Sequence, residues 1–377
     1  MKILQLIDDL GIGGAQKLLL GFSRAARTRG HHVAVMSLND SPASPIDSEL
    51  RSLGIPVQLL GGTGMLDIRR YRALVQFLRR ERFDIVHTHL LTSNILGGIA
   101  VHLSGTPVVG SLHNTDPWSG RHAKVKQWLE YLILRRWTQR TIAVGHIVAE
   151  RHVEKLRPAG LDVVPNAVPL IDPLPADERR RLRMELVGDP DRPIVLTLGR
   201  LTRQKGYDIL LQAFATVHQS HPDACLLIAG SGPDHEVLTA LAASLGLNEH
   251  ARLLGPRSDP ERLLGAADIF VSSSRWEGLP LVVLEAMAAR LPVVATSVGD
   301  IPRVLTENTG LLVPPDDAGA LAAELGRLLG DVGLRQNLGQ GARARIESEY
   351  SVEVWCERLL AVYADVIALG RKGLSHD

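Results

Sequence analysis

Short, nearly continuous apolar runs alternate along the chain with longer stretches of helical periodicity. Lys2 to Ile7 predicts a buried strand, followed by the loop Asp8-Asp9-Leu10-Gly11-Ile12-Gly13-Gly14-Ala15-Gln16 and a helical pattern through Arg29. His32 to Leu38, Val57 to Leu59, Ile85 to Thr88, Val108 to Ser111, Ile142 to Val144 and Val163 to Val164 predict further strands, with helices beginning at Asp67, Leu91, Arg121 and His146. A second series opens at Pro193 to Leu198 and continues with Cys225 to Ala229, Leu253 to Gly255, the run ending at Ser272, Pro292 to Ala295 and Gly310 to Val313. Its helices are Tyr207 to His218, those starting at Asp234, Asp317 and Leu334, and Tyr350 to Leu369; Ser258 and Glu261 have capping-box spacing. Alternation of this kind predicts mostly parallel sheets with helices on both faces and ligands at the C-terminal ends of the strands.

The chain has 377 residues, 45% of them hydrophobic, which is too long for one ordinary domain. Proline-rich Asp172-Pro173-Leu174-Pro175-Ala176-Asp177 marks a linker, giving domains at 1–170 and 191–350, a linker region at 171–190 and a last segment at 351–377. A formal net charge of +1 gives no global pull toward nucleic acid, and no nucleic-acid motif is present. The N-terminal apolar run is too short for a signal peptide and no run is long enough to span a bilayer, so a soluble, cytoplasmic protein is expected. Cys225 and Cys356 suggest neither a disulfide framework nor a metal site.

The densest candidate chemistry lies in Ser272-Ser273-Ser274-Arg275-Trp276-Glu277-Gly278-Leu279-Pro280-Leu281-Val282-Val283-Leu284-Glu285-Ala286-Met287-Ala288. A strand, a glycine turn and a helix opened by Pro280 form a corner. Glu277 precedes the turn, and Glu285 sits in a helix whose other residues are almost all apolar, which is costly for a carboxylate without a partner such as Arg290 or Arg275. Between the acids, the helix start at Gly278, Leu279, Pro280 and Leu281 frames an anion site with the free N–H groups of every residue but the proline. A phosphate cradle with two carboxylates to accept from hydroxyls suits a nucleotide sugar. Upstream, Gly199-Arg200-Leu201-Thr202-Arg203-Gln204-Lys205-Gly206 places Arg200 and Lys205 at a strand's C-terminal end, where they can meet a diphosphate. Gly14 closes the glycine loop between the first strand and its helix, the opening of a nucleotide-binding βα unit. His87, His89 and His113 end two strands of the first domain.

Glu-x7-Glu within Ser-x-Trp-Glu-Gly-Leu-Pro-Leu-x-x-Leu-Glu-Ala-Met-Ala, together with Gly-Arg-x4-Lys-Gly, resembles the signature of the retaining glycosyltransferases of family 4. Val164-Pro165-Asn166-Ala167-Val168 is similar to that family's Pro-Asn-Gly-Val element, with Ala167 for glycine, and Gly299-Asp300-Ile301-Pro302-Arg303 departs from Gly-Gly-x-Pro-Glu at Asp300 and Arg303. The resemblance implies the α/β GT-B fold, two doubly wound Rossmann-like domains facing each other across a cleft, with the last helix crossing back to the first domain. It implies transfer of a sugar from a nucleoside-diphosphate sugar to an acceptor hydroxyl with retention, in cell-envelope polysaccharide or glycolipid synthesis, by a front-face mechanism without a covalent nucleophile. Arg200, Lys205, Gly14 and the 278–281 amides would hold the diphosphate, Glu285 the ribose and Arg257 the side of the base. Glu277 and His113 would meet the sugar at the reacting centre. Uridine diphosphate is favoured on family frequency. No Asp-x-Asp pair is placed to clamp the diphosphate, so neither metal nor cofactor is expected. A 2-epimerase of the same fold and a non-catalytic nucleotide-sugar-binding subunit are the alternatives, and a glycan, a glycolipid or a small molecule would each serve as acceptor. Residues 121–140 mix Arg121, Lys124, Lys126, Arg135, Arg136 and Arg140 with Trp128, Leu132 and Trp137, and either line a solvated helix face or lie on an anionic membrane, at the inner face of the cytoplasmic membrane.

Overall fold

The structure, a computed structural model, describes residues 1–373 apart from 12, 40–43, 62–66, 114–122 and 157–159, with side chains to Leu369. The chain packs as two compact units, one of Met1–Asn166 with the segment from Val352, the other of Ala167–Ser351. The first holds seven parallel strands, β1 (Lys2–Ile7), β2 (His32–Ser37), β3 (Val57–Leu59), β4 (Ile85–His89), β5 (Val108–Leu112), β6 (Arg140–Ala143) and β7 (Leu161–Val163), in the order β3-β2-β1-β4-β5-β6-β7. The second holds β8 (Ile194–Leu198), β9 (Cys225–Ala229), β10 (Ala251–Gly255), β11 (Ile269–Ser272), β12 (Val293–Thr296) and β13 (Leu311–Val313), also parallel, in the order β10-β9-β8-β11-β12-β13. Helices cover both faces, which is why β8, β9, β11 and β12 read as nearly continuous apolar runs. The strand order reverses direction between β1 and β4 and between β8 and β11, and at such a switch point the loops leaving the strand ends diverge and leave room for a ligand.

Several boundaries differ from the sequence expectations for physical reasons. The stretch 171–190, read as linker from its prolines, carries the helix Ala176–Val187, which starts after Pro175 and buries Leu182, Leu186 and Val187 in the core of the second unit. Arg183 anchors it: the nearly fully buried guanidinium donates to Asp268 Oδ2 at 3.0 Å and to the carbonyls of Ala266, Pro190 and Arg192. The Ser258–Glu261 capping box does not form. Asp259 is the N-cap of Pro260–Ala266 and makes no side-chain cap bond, because its carboxylate is taken by the fork of Arg257 at 2.8 and 2.7 Å. Pro280 is the N-cap of Leu281–Ala288 rather than a residue of its first turn. The helix expected from Leu334 begins at Val332, capped by Asp331, and the last helix is Val352–Gly373. That last helix lies on Gly14–Thr28, with Phe22 set edge-on against Trp355 and Tyr363 at centroid distances of 6.0 and 5.7 Å. Arg121 lies outside the described residues, and the helix there is Ala123–Trp137. Among the described residues no helix is long and apolar enough to cross a membrane.

Polar groups buried beneath the helices hold the first unit's loops in place. Asp8, just past β1, accepts from the Thr92 and Ser93 amides and the Ser93 hydroxyl, tying the loop after β1 to the segment after β4. Asn94 donates to the Ser111 carbonyl at 3.0 Å and to Glu130 Oε1 at 2.8 Å. Glu130 is 5% exposed, and burial pushes its carboxyl up to about 7. The folded state thus keeps a proton at pH values where the unfolded chain, at 4.5, has released it. This group's contribution to stability is fully present below the unfolded value and is lost as pH rises toward 7. At about 1.4 kcal/mol for each pH unit in that window, the loss is on the order of 3 kcal/mol. Buried His87 and partly buried His113, held down by desolvation at about 3 and 4, act in the opposite sense and lose stability as pH falls below 6.5. Chemical denaturation of wild type and Glu130→Gln across pH 4.5 to 8 separates the two effects. The variant's stability relative to wild type should rise over that range by roughly the same 3 kcal/mol, because Gln still accepts from Asn94 and carries no proton to lose.

Candidate functional site

The second unit's switch point is built from the loops leaving β8 and β11. The first loop makes a 3-10 turn at Arg203–Lys205 and ends at Gly206, whose φ of +62° lies in the left-handed region. A Cβ there would fall 2.1 Å from the Ser273 carbonyl oxygen, so only glycine lets the two loops touch backbone to backbone. Four bonds stitch them together: Ser273 Oγ to the Lys205 carbonyl at 2.8 Å, the Arg275 amide to the Gln204 carbonyl at 2.8 Å, Gln204 Nε2 to the Trp276 carbonyl at 3.0 Å, and Arg275 Nη1 to the Arg203 carbonyl at 2.8 Å. Arg275 also donates to Asp208, at 2.9 and 2.8 Å through Nη1 and Nη2, and to Asp316 through Nε at 2.6 Å. The hydrogen bonds from Arg275 hold the Asp208 carboxyl below its usual range. Arg275 is therefore a structural brace.

Within this frame Lys205 Nζ donates to Glu277 Oε1 at 2.5 Å, and the same oxygen accepts from Ser274 Oγ at 2.7 Å. The pair is largely buried, with side-chain exposures of 18% and 8%. An ammonium has three donors, so Lys205 can keep Glu277 and still offer hydrogen to an anion. Residues Gly278, Leu279 and Pro280 then lead into Leu281–Ala288, a helix whose start no side chain caps. On the far side, Gly299 (φ +58°) lies against this turn, where a Cβ would be 2.4 Å from the Glu277 carbonyl oxygen, and the Asp300 amide donates to the Gly278 carbonyl at 2.8 Å. Glu285 is half-buried on that helix. Arg200 is exposed in the loop after β8, with its side chain in no hydrogen bond or ion pair among the described residues. Arg257 follows β10 and is forked onto Asp259, which raises it above its ordinary value.

The first unit's switch point gathers the histidines. His89 Nδ1 meets His113 Nε2 at 3.3 Å, His89 Nε2 meets Gln5 Oε1 at 2.6 Å, and His87 lies between Tyr363 Oη and Ser111 Oγ, 2.6 Å from each. Burial lowers all three histidines, so they are neutral at physiological pH. His113 is the half-exposed end of the group and His87 and His89 are its buried body. Gly14 begins the helix Gly14–Thr28, with Gly13 as its N-cap, and Asp9 Oδ1 organises the loop before it by accepting from the Gly11 amide and Gln16 Nε2.

Arg200, Lys205, Glu277, Gly278, Leu279, Pro280, Leu281 and Glu285 all fall on β8, β11 or the segments that follow them in the second unit, while Gly14 and His113 belong to the first. Arg275, Asp208, Ser273, Ser274, Gln5 and Tyr363 were not singled out in the sequence for these roles. Ser274 lies three residues before Glu277, and a hydroxyl there is a readable signal. The pairings of Arg275 and Tyr363 cross too much sequence to be read from spacing.

Two family models match the chain, one described as glycosyltransferase family 4 over residues 12–171 and one as glycosyl transferases group 1 over residues 178–345. A phosphatidyl-myo-inositol mannosyltransferase of Mycobacterium leprae is 31% identical over 96% of this chain and 95% of its own. A UDP-Gal:alpha-D-GlcNAc-diphosphoundecaprenol alpha-1,3-galactosyltransferase of Escherichia coli is 29% identical over 85% of this chain and 86% of its own. Among solved structures, Anabaena HepE in complex with UDP superposes with a TM-score of 0.84 at 22% identity, covering 97% of this chain and all of HepE. With two parallel Rossmann-like sheets, the strand-end loops they carry and relatives of this similarity along the chain, the protein belongs to the family 4 glycosyltransferases of GT-B fold.

Proposed function

We propose that this glycosyltransferase takes its sugar from a nucleoside-diphosphate donor, a uridine diphosphate sugar, and passes it to an acceptor hydroxyl with retention at the anomeric carbon. The observation that carries this reading is Lys205 held on Glu277 directly before the uncapped helix start at Leu281. That arrangement brings a cation onto a carboxylate just ahead of a run of free amide donors, which suits a diphosphate bearing a hydroxylated sugar. Lys205, Arg200 and the backbone N–H groups of Gly278, Leu279 and Leu281 around Pro280 stabilise the departing diphosphate, with Gly14 allowing a close approach of its backbone. Glu285 accepts from the ribose hydroxyls, Glu277 and His113 from the sugar, and Arg257 lies beside the base. Fixed positive charge at the leaving group takes the place of a divalent cation, and no cofactor enters the reaction. The HepE complex with UDP and the galactosyltransferase named for its UDP-galactose donor support uridine.

Calorimetric titration with UDP, GDP and ADP tests the donor site. UDP should bind, and Arg200→Ala and Glu285→Ala should each weaken it by about tenfold or more, the loss of one charged hydrogen bond of roughly 1.5–3 kcal/mol. Lys205→Ala should cost at least as much, because it also strands the buried Glu277 carboxylate. Transfer should persist in excess chelator and give the donor's own anomeric configuration by proton NMR. Donor turnover without any acceptor, or activity restored only by manganese, would contradict the reading.

The acceptor is proposed to be lipid-linked, in envelope polysaccharide or glycolipid synthesis, and met at the inner face of the cytoplasmic membrane. The helix Ala123–Trp137 exposes Val125, Trp128 and Leu132, and Lys124, Arg135 and Lys155 line a groove of about 480 Å³ beside Trp128 and Tyr131. Exposed apolar side chains ringed by cations suit an anionic interface. Cosedimentation with vesicles of anionic lipid should capture the wild-type protein and lose Trp128→Glu, while neutral vesicles capture neither. Equal recovery of both proteins would leave this helix as an ordinary solvated face.

A further inference from the structure

Six side chains of the first unit form one unbroken hydrogen-bonded chain: His113, His89, Gln5, Tyr363, His87 and Ser111. Three β-strands supply the middle and one end. Gln5 sits on β1 directly beside His87 on β4, and His89 on β4 is paired with Ser111 on β5. Tyr363 comes from the helix Val352–Gly373, 358 residues from Gln5, and its ring is fully buried against Phe22 and His87.

A neutral imidazole has one donor nitrogen and one acceptor nitrogen, and an amide has a distinct donor end and acceptor end. The chain therefore has a single direction, and Gln5 sets it. Gln5 Oε1 faces His89 Nε2 at 2.6 Å, so that nitrogen carries hydrogen and His89 Nδ1 is the acceptor. His113 must then donate to it through Nε2–H, which leaves His113 Nδ1 with a bare lone pair. In the other direction Gln5 Nε2 donates to Tyr363 Oη at 3.3 Å, Tyr363 gives its own proton to His87 Nδ1, and His87 Nε2–H donates to Ser111 Oγ. Every link is satisfied in this sense. A half-satisfied network in such a place would be costly, since every member but His113 is buried away from water.

We propose that Gln5 and Tyr363 are positioning residues that hold His113 in its Nε2–H tautomer, so that His113 meets the transferred sugar as a hydrogen-bond acceptor through Nδ1. The sugar's part in this rests on the donor reading above; the tautomer does not. A site that accepts at this point requires a hydroxyl on the sugar there and disfavours a deoxy analogue, whose carbon leaves the lone pair unpaired. The helix from Val352 thereby contributes to the first unit's site chemically as well as by packing.

Nitrogen-15 NMR of histidine-labelled protein near pH 7.5, with the His113 signals identified by their loss in His113→Gln, reads the tautomer directly. Wild type should show His113 protonated at Nε2 and bare at Nδ1. Gln5→Glu should keep that state, because a carboxylate can only accept from His89. Tyr363→Phe removes the acceptor for the Gln5 amide and should give a mixture of tautomers. With UDP affinity unchanged within about twofold, its kcat should fall about tenfold, the weight of one hydrogen bond of about 1.4 kcal/mol. Wild-type His113 protonated at Nδ1, or a tautomer indifferent to Tyr363→Phe, would overturn the proposal. The NMR result stands apart from turnover, so loss of the donor reading would be seen separately as absence of UDP binding.

Discussion

The contact between the loops after β8 and β11 is the constraint on which the candidate site depends. Gly206 admits the Ser273 carbonyl at a distance no side chain would permit, and that approach brings Lys205 within bonding range of Glu277. Arg275 then locks the arrangement by reaching Asp208, Asp316 and the Arg203 carbonyl at once. None of these bonds is strong in isolation, and exposed ion pairs contribute little. Together they fix the direction of a buried ammonium before any ligand arrives, and electrostatic stabilisation depends on such preorganisation.

The two units solve the same problem with different chemistry. Both are parallel sheets that reverse winding beside their first strand, and both place polar groups at the strand ends where helices diverge. In the second unit those groups are charged and paired, suited to an anion. In the first, the histidines are neutral because burial removes the charged form, and they are satisfied by one another, by Gln5 and by Tyr363. A neutral, directional surface is suited to hydroxyls.

Much of this was legible in the sequence because the signals are local. Apolar runs marked strands buried on both faces, and Arg200, Lys205, Glu277 and Glu285 lie in short motifs whose spacing survives folding unchanged. What was not legible depends on contacts across the chain. Lys205 and Glu277 were read as serving different parts of a ligand, yet they bond each other across 72 positions. The prolines at 173 and 175 looked like linker, but they precede a helix whose burial follows from Arg183 finding Asp268. The burial of Glu130 against Asn94 has no local signature, because its partner lies 36 positions away. The histidines ending β4 and β5 were visible as candidates, whereas their connection to Tyr363 required the last helix to return to the first unit.

The most direct test of the account is a double-mutant cycle between Lys205 and Glu277, read in kcat/KM for the donor with Lys205→Ala, Glu277→Gln and the double variant. If the pair is one preorganised unit, each single substitution should cost nearly as much as both, with a coupling of about 1.5–3 kcal/mol, as for buried partners. Effects that add within about 0.5 kcal/mol would mean that Lys205 and Glu277 act independently, and that the stitched loops do not hold a single site.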